Sequence, residues 1–144
     1  LQGIETLALR MERHTENAQA VAQYLSSHPQ VKWVNYGGLE DSQYYQLAQT
    51  YMQGKPSAIL SFGIEGGFEA GARFIDALEV IKRLVNIGDA KSLACHPAST
   101  THRQLGEEEL KTAGVSQEMV RLSIGIENVE DIIADIEQSL TAAK

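Results

Sequence analysis

The chain has 144 residues, 43% hydrophobic and 22% charged, with a formal net charge of −7. That composition describes one globular domain large enough to bury a core. The acidic balance and singly scattered lysines argue against a nucleic-acid binder or an anionic membrane surface as partner, since both need clustered cations. No apolar run approaches the ~20 residues of a membrane-spanning helix. No basic-then-apolar leader opens the chain, and the lone cysteine, Cys95, agrees with a reducing, cytoplasmic setting.

Ile4, Leu7, Met11, Ala18, Val21, Ala22 and Leu25 recur at spacings of three and four. They predict one long amphipathic helix, stopped by Ser26-Ser27-His28-Pro29. The first residue is Leu1, already inside that pattern, which reads as a piece of a longer protein. VKWVNY (31–36) predicts a short strand closed by Gly37-Gly38. SQYYQLAQTYM (42–52) predicts a helix capped by Asp41 or Ser42, with Gly54 past its end. SAILSFGI (57–64) alternates, putting Ala58, Leu60, Phe62 and Ile64 on one face of a strand. FEAGARFIDALEVI (68–81) follows as a helix with the stripe Phe68, Ala72, Ile75 and Leu78.

LVNIG (84–88) and SLAC (92–95) look like two short strands, and GEEELKTAG (106–114) like a short helix with a solvated acidic start. MVRLSIGI (119–126) is the clearest strand. Asn128 with Asp131 opens the last helix, whose apolar face is Val129, Ile132, Ile133, Ile136 and Leu140. Together these predict an α+β, two-layer sandwich: a small, mostly antiparallel sheet covered by helices.

Residues 86–102, NIGDAKSLACHPASTTH, gather His96, His102, Cys95 and Asp89. A metal site is the less favoured reading, because the histidines are six apart across a proline loop and no second ligand pair accompanies them. Cys95 as a nucleophile needs a base on its own face, and adjacent His96 would point to the other. GIEGG (63–67) lacks the Lys-Ser/Thr of a phosphate loop and reads as a turn. Arg121 is more informative. A guanidinium in mid-strand must find an acceptor. The choice lies between an acid of the same domain and the carboxylate of a ligand, with Ser123 and Gly125 leaving room beside it.

NIGDAKSLACHPASTTH followed by VRLSIGIENVEDIIADI resembles the C-terminal domain of the Cys/Met-metabolism PLP-dependent enzymes, which are fold-type I transferases. GIETLALRMERHTENA and SFGIEGG fit the same family, so the resemblance covers residues 1–144. Asn86 and HPASTTH are similar to the O-acetylhomoserine sulfhydrylase branch.

The resemblance implies a pyridoxal 5'-phosphate enzyme that makes homocysteine or methionine from O-acetylhomoserine and sulfide or a thiol, working as a homo-oligomer. It implies Arg121 as holder of the substrate α-carboxylate, with Asn86 and Thr101 as further substrate-side residues. The lysines at 32, 55, 82, 91, 111 and 144 lack the Ser-x-Thr-Lys context of the family's Schiff-base lysine. The large cofactor-binding domain is therefore expected upstream, with no catalytic, cofactor-binding or metal residue in this chain. The alternatives are a methionine γ-lyase or cystathionine-forming relative, and a free-standing amino-acid-binding regulatory module.

Overall fold

The computed structural model describes residues 1–144, except the side chain of Glu107. A short turn of helix α1 (Gln2–Glu5) breaks at Thr6 and is followed by the long helix α2 (Leu7–Ser27). The chain continues through β1 (Val31–Asn35), α3 (Tyr45–Met52), β2 (Ile59–Ile64), α4 (Gly67–Ala77), β3 (Lys82–Arg83) and β4 (Leu93–Cys95). A 3-10 turn (Pro97–Ser99), α5 (Glu107–Thr112), β5 (Met119–Ser123) and α6 (Val129–Ala142) complete it.

The five strands form one sheet in the order β1-β2-β5-β4-β3. β2 pairs antiparallel with β1 and with β5, and β5 antiparallel with β4; only the β3–β4 pair is parallel. This is the expected α+β architecture with a mostly antiparallel sheet. The alternation in β2 and β5 decides which face is closed. Leu60, Phe62, Ile64, Val120, Leu122 and Ile124 are at most 1% exposed and meet α2, α4 and α6 in one continuous core. The Phe62 and Phe74 rings meet edge to face, with centroids 5.5 Å apart.

Four sequence expectations are corrected. The opening helix is interrupted at Thr6, and only the later half of its stripe packs: Ala18, Val21, Ala22 and Leu25 are fully buried, while Ile4, Leu7 and Met11 are exposed. Helix α3 begins at Tyr45, three residues after the expected start, because Ser42 closes a preceding turn through its carbonyl and hydroxyl. Helix α4 ends at Ala77, and its buried face is Ala70, Gly71, Phe74 and Ile75, with Phe68 exposed. Asp135 on α6 stops it. Its carboxylate accepts the backbone N–H groups of Glu79, Val80 and Ile81 at 2.9–3.0 Å, turning 79–81 out of the helix. LVNIG is not a strand: pairing uses Lys82 and Arg83, and 84–92 form an irregular loop with Gly88 at φ +72.

Asn128 caps α6 as expected, its Oδ1 accepting from the Glu130 N–H at 3.1 Å. The acidic start of α5 has exposed Glu108 and Glu109, with Glu109 reaching back to the Gly106 N–H at 2.8 Å. The Glu107 side chain lies outside the described residues.

Candidate substrate site

The face of the sheet opposite the long helices carries the candidate site. Register places Asn35, Ser61, Arg121 and Cys95 in one row across β1, β2, β5 and β4. Side chains directly opposite each other across paired strands lie about 5 Å apart, so the arginine stands between a serine and a cysteine. Burial pushes the Cys95 thiol up from its ordinary pKa, and a hydrogen bond and charge from Arg121 act against that shift. The thiol is thus buried and inert by environment, as the sequence suggests for a small hydrophobe.

Among the described residues Arg121 forms no ion pair with any carboxylate. Of the two readings open for it, an acid of the same domain is therefore not observed. Arg121 instead lines an open concavity of about 310 Å³ with Asn35, Tyr36, Tyr44, Ile59, Ser61 and Met119. Tyr36 was not singled out by the sequence. Its ring is 2% exposed, its hydroxyl has no partner among the described residues, and burial pushes its pKa up to about 12. Ser123, two residues beyond Arg121 on the same face, is 3% exposed and its hydroxyl is likewise unpartnered. A guanidinium lining an open concavity is equipped to receive an anionic ligand.

The remaining expected site residues stand apart. Asn86 is exposed and its Oδ1 accepts from the next backbone N–H, that of Ile87, at 2.8 Å. Thr101 is exposed, with its hydroxyl 2.8 Å from the His102 ring. Neither lines the Arg121 concavity. His96 is 1% exposed and fully committed, Nδ1 to the Ser99 hydroxyl at 2.9 Å and Nε2 to the Gln117 carbonyl at 2.7 Å. Among the described residues no three His, Cys, Asp or Glu side chains gather as a metal site.

What fixes the site is a buried clasp at the exit of β5. The Glu127 carboxylate accepts the Ser92 N–H at 2.6 Å and the Ser92 hydroxyl at 2.9 Å. That hydroxyl accepts the Gly125 N–H at 2.8 Å. Asn17 on α2 donates to the carbonyls of Gly125 and Glu127, and the Ile126 N–H reaches Ala90. A Cβ on Gly125 would stand 2.3–2.5 Å from Glu127, Ala90 and Ser92 atoms, so only glycine fits. The clasp holds the 84–92 loop, with Asn86, against the strand that carries Arg121.

Fold and site together define an α+β domain with an arginine-lined concavity on the open face of its sheet. The chain belongs to the Cys/Met metabolism PLP-dependent enzyme family, which matches residues 1–141. It is 54% identical over 140 residues to O-acetyl-L-homoserine sulfhydrylase 1 of Thermus thermophilus, covering 97% of this chain and 33% of the relative. Identity is 49% over 143 residues to homocysteine synthase of Schizosaccharomyces pombe, with 99% and 33% covered. It is 45% over 143 residues to L-methionine gamma-lyase of Pseudomonas putida, with 99% and 36% covered. A crystal structure from Campylobacter jejuni, described as an O-acetylhomoserine (thiol)-lyase with N'-pyridoxyl-lysine-5'-monophosphate, superposes with a TM-score of 0.91. Its identity is 46%, over 97% of this chain and 33% of that one. The chain thus spans about a third of the length of the relatives it matches.

Proposed function

We propose that residues 1–144 are the C-terminal, substrate-side domain of an O-acetylhomoserine sulfhydrylase. The complete enzyme would make homocysteine from O-acetylhomoserine and sulfide, or methionine from methanethiol, as a cytoplasmic homo-oligomer. The observation that carries this reading is the Arg121 guanidinium, unpaired with any described acid and facing an open concavity. An arginine fork matches an α-carboxylate bidentately. Three relatives of that activity, at 49–54% identity, favour it over the lyase.

Pyridoxal phosphate, when bound, supplies an electron sink. Holding it requires a lysine amine at the site, and this chain does not offer one. Lys32, Lys55, Lys82, Lys91, Lys111 and Lys144 are all exposed, and none lines the Arg121 concavity. Lys32, Lys55 and Lys111 are paired with Glu65, Glu12 and Glu108 at 3.2–3.9 Å. On this reading the cofactor-binding lysine belongs to a preceding large domain, and this chain contributes the clamp: Arg121 binds and orients the amino acid, with Asn86 and Thr101 as further substrate-side groups.

The test is Arg121→Ala in the complete enzyme. Truncating one partner of a buried charge pair costs about 2–5 kcal/mol, which predicts a loss of ~30-fold or more in kcat/KM for O-acetylhomoserine. Arg121→Lys should recover only part, because an ammonium cannot present the planar fork. The wild type should strongly prefer the amino acid over an amine analogue lacking the carboxylate, and Arg121→Ala should hardly discriminate. A well-folded variant that keeps the wild-type preference would remove Arg121 from the site. The lyase alternative is separated by turnover of methionine alone against O-acetylhomoserine plus sulfide.

A further inference from the structure

The apolar stripe that opens the chain runs through α1 and α2, but only its later half is covered. Ala18, Val21, Ala22 and Leu25 are fully buried, whereas Ile4, Leu7 and Met11 face water. A second run is equally bare: Leu84, Val85 and Ile87 stand out from the 84–92 loop, whose end is anchored by the clasp between Ser92 and Glu127.

The two runs meet. Met11, Met52 and Ile87 line one depression of about 330 Å³, which shares Ile59 with the Arg121 concavity. Glu12 and Lys55, paired at 3.2 Å, stand at its edge. An apolar centre rich in methionine with a charged rim is the anatomy of an interface. A domain that works alone seldom leaves so broad an apolar face to water.

Two observations name the partner. The chain spans about a third of the length of the relatives it matches, so most of a complete protein of that kind lies outside residues 1–144. None of this chain's lysines lines the Arg121 concavity, so a reactive amine must come from a body seated beside it. We propose that this face docks the rest of the complete protein, an apolar surface of the large domain closing over Leu7, Met11, Met52 and Ile87 and walling the Arg121 concavity on that side. This choice of partner rests on the reading proposed above, in which the chain supplies only the substrate side.

Hydrogen peroxide oxidation of methionine, followed by mass spectrometry, tests it in the complete protein, each rate being compared with that of the same protein unfolded in urea. Met11 and Met52 are 38% and 46% exposed in residues 1–144 alone, which would slow them only about two- to three-fold, since oxidation follows exposure. Docking should slow both by about ten-fold or more. Leu7→Glu, a charge set into the contact, should raise both rates by about five-fold or more; if that variant does not fold, the wild-type rates decide. An amine-reactive cross-linker on exposed Lys55, at the rim, should join it to lysines outside residues 1–144. Links only to residues 1–144 of a second copy would give the face to self-association and overturn the choice of partner. Wild-type rates slowed no more than about three-fold overturn the docking surface itself, whatever the activity of the enzyme. Protection without turnover of O-acetylhomoserine and sulfide supports the surface and counts against the transferase reading.

Discussion

Ser92→Ala is the most direct probe of the clasp that joins the 84–92 loop to β5. Ser92 is fully buried, and its hydroxyl has two jobs: it donates to Glu127 at 2.9 Å and accepts from the Gly125 N–H at 2.8 Å. Alanine removes both bonds and leaves the Gly125 N–H without a partner. A hydrogen bond to a charged group contributes about 1.5–3 kcal/mol, and an orphaned buried donor costs about 1–3 kcal/mol. The two share one oxygen and are not additive, so the expected destabilisation is about 2–4 kcal/mol. With a urea m-value of about 2 kcal/mol/M, the midpoint should fall by about 1–2 M at unchanged m. Ser57→Ala is the control: its exposed hydroxyl accepts one backbone N–H at 3.2 Å and should shift stability by less than about 1 kcal/mol. Ser92→Ala and Glu127→Gln should also be coupled by about 1 kcal/mol or more in a double-mutant cycle. A Ser92→Ala midpoint no lower than the control's would show that the clasp does not hold the loop.

Asp135→Ala orphans three backbone N–H groups at the end of α4 and should cost about 3–5 kcal/mol in urea unfolding; a loss under 1 kcal/mol would reject the stop mechanism. Glu137 is held below the ordinary carboxylate range, first by the Tyr24 hydroxyl and then by the His28 charge. A depressed folded pKa gives stability that is present above the unfolded pKa and lost as pH falls through the folded one. Tyr24→Phe should therefore raise the Glu137 carboxyl pKa, read by NMR titration, and narrow the stability gap to wild type as the solution is acidified. Pyridoxal phosphate added to the 144-residue chain should leave no visible absorbance band after dialysis, since none of its lysines lines the Arg121 concavity; a stoichiometric surviving band would contradict the proposed division of labour.

Local patterns were legible where the partner is the next strand. Alternation in 59–64 and 119–123 gave both strands and the closed face, and the polar break at Arg121 within an apolar strand marked the open one. What escaped depended on distant partners. The end of α4 is set by Asp135, more than fifty residues away, and nothing in EVIK announces it. LVNIG reads as a strand because apolar residues suggest burial, yet Leu84, Val85 and Ile87 are 55%, 52% and 72% exposed. Tyr36 and His14 carry no local signal, because an orphaned hydroxyl or ring nitrogen exists only once tertiary packing has removed its neighbours.

The two faces of the sheet explain why such a domain can be both stable and chemically open. On the helix side Leu60, Phe62, Val120 and Leu122 bury nearly all their surface, each worth about 1.5–3 kcal/mol. The same strands then place Ser61, Arg121 and Ser123 on the other side, where small or polar groups pack poorly and contribute little to folding. The period-two geometry of a strand makes this division unavoidable: every residue that closes the core fixes a neighbour facing the site. A one-residue slip of β5 would bury the guanidinium in the core and expose Leu122, so core packing itself sets the position of Arg121. The clasp extends that control to the loop, because Gly125 lies one residue past Ile124, the core residue that follows β5, and bonds Ser92 directly. Precision at the candidate site is thus inherited from the face that closes the core.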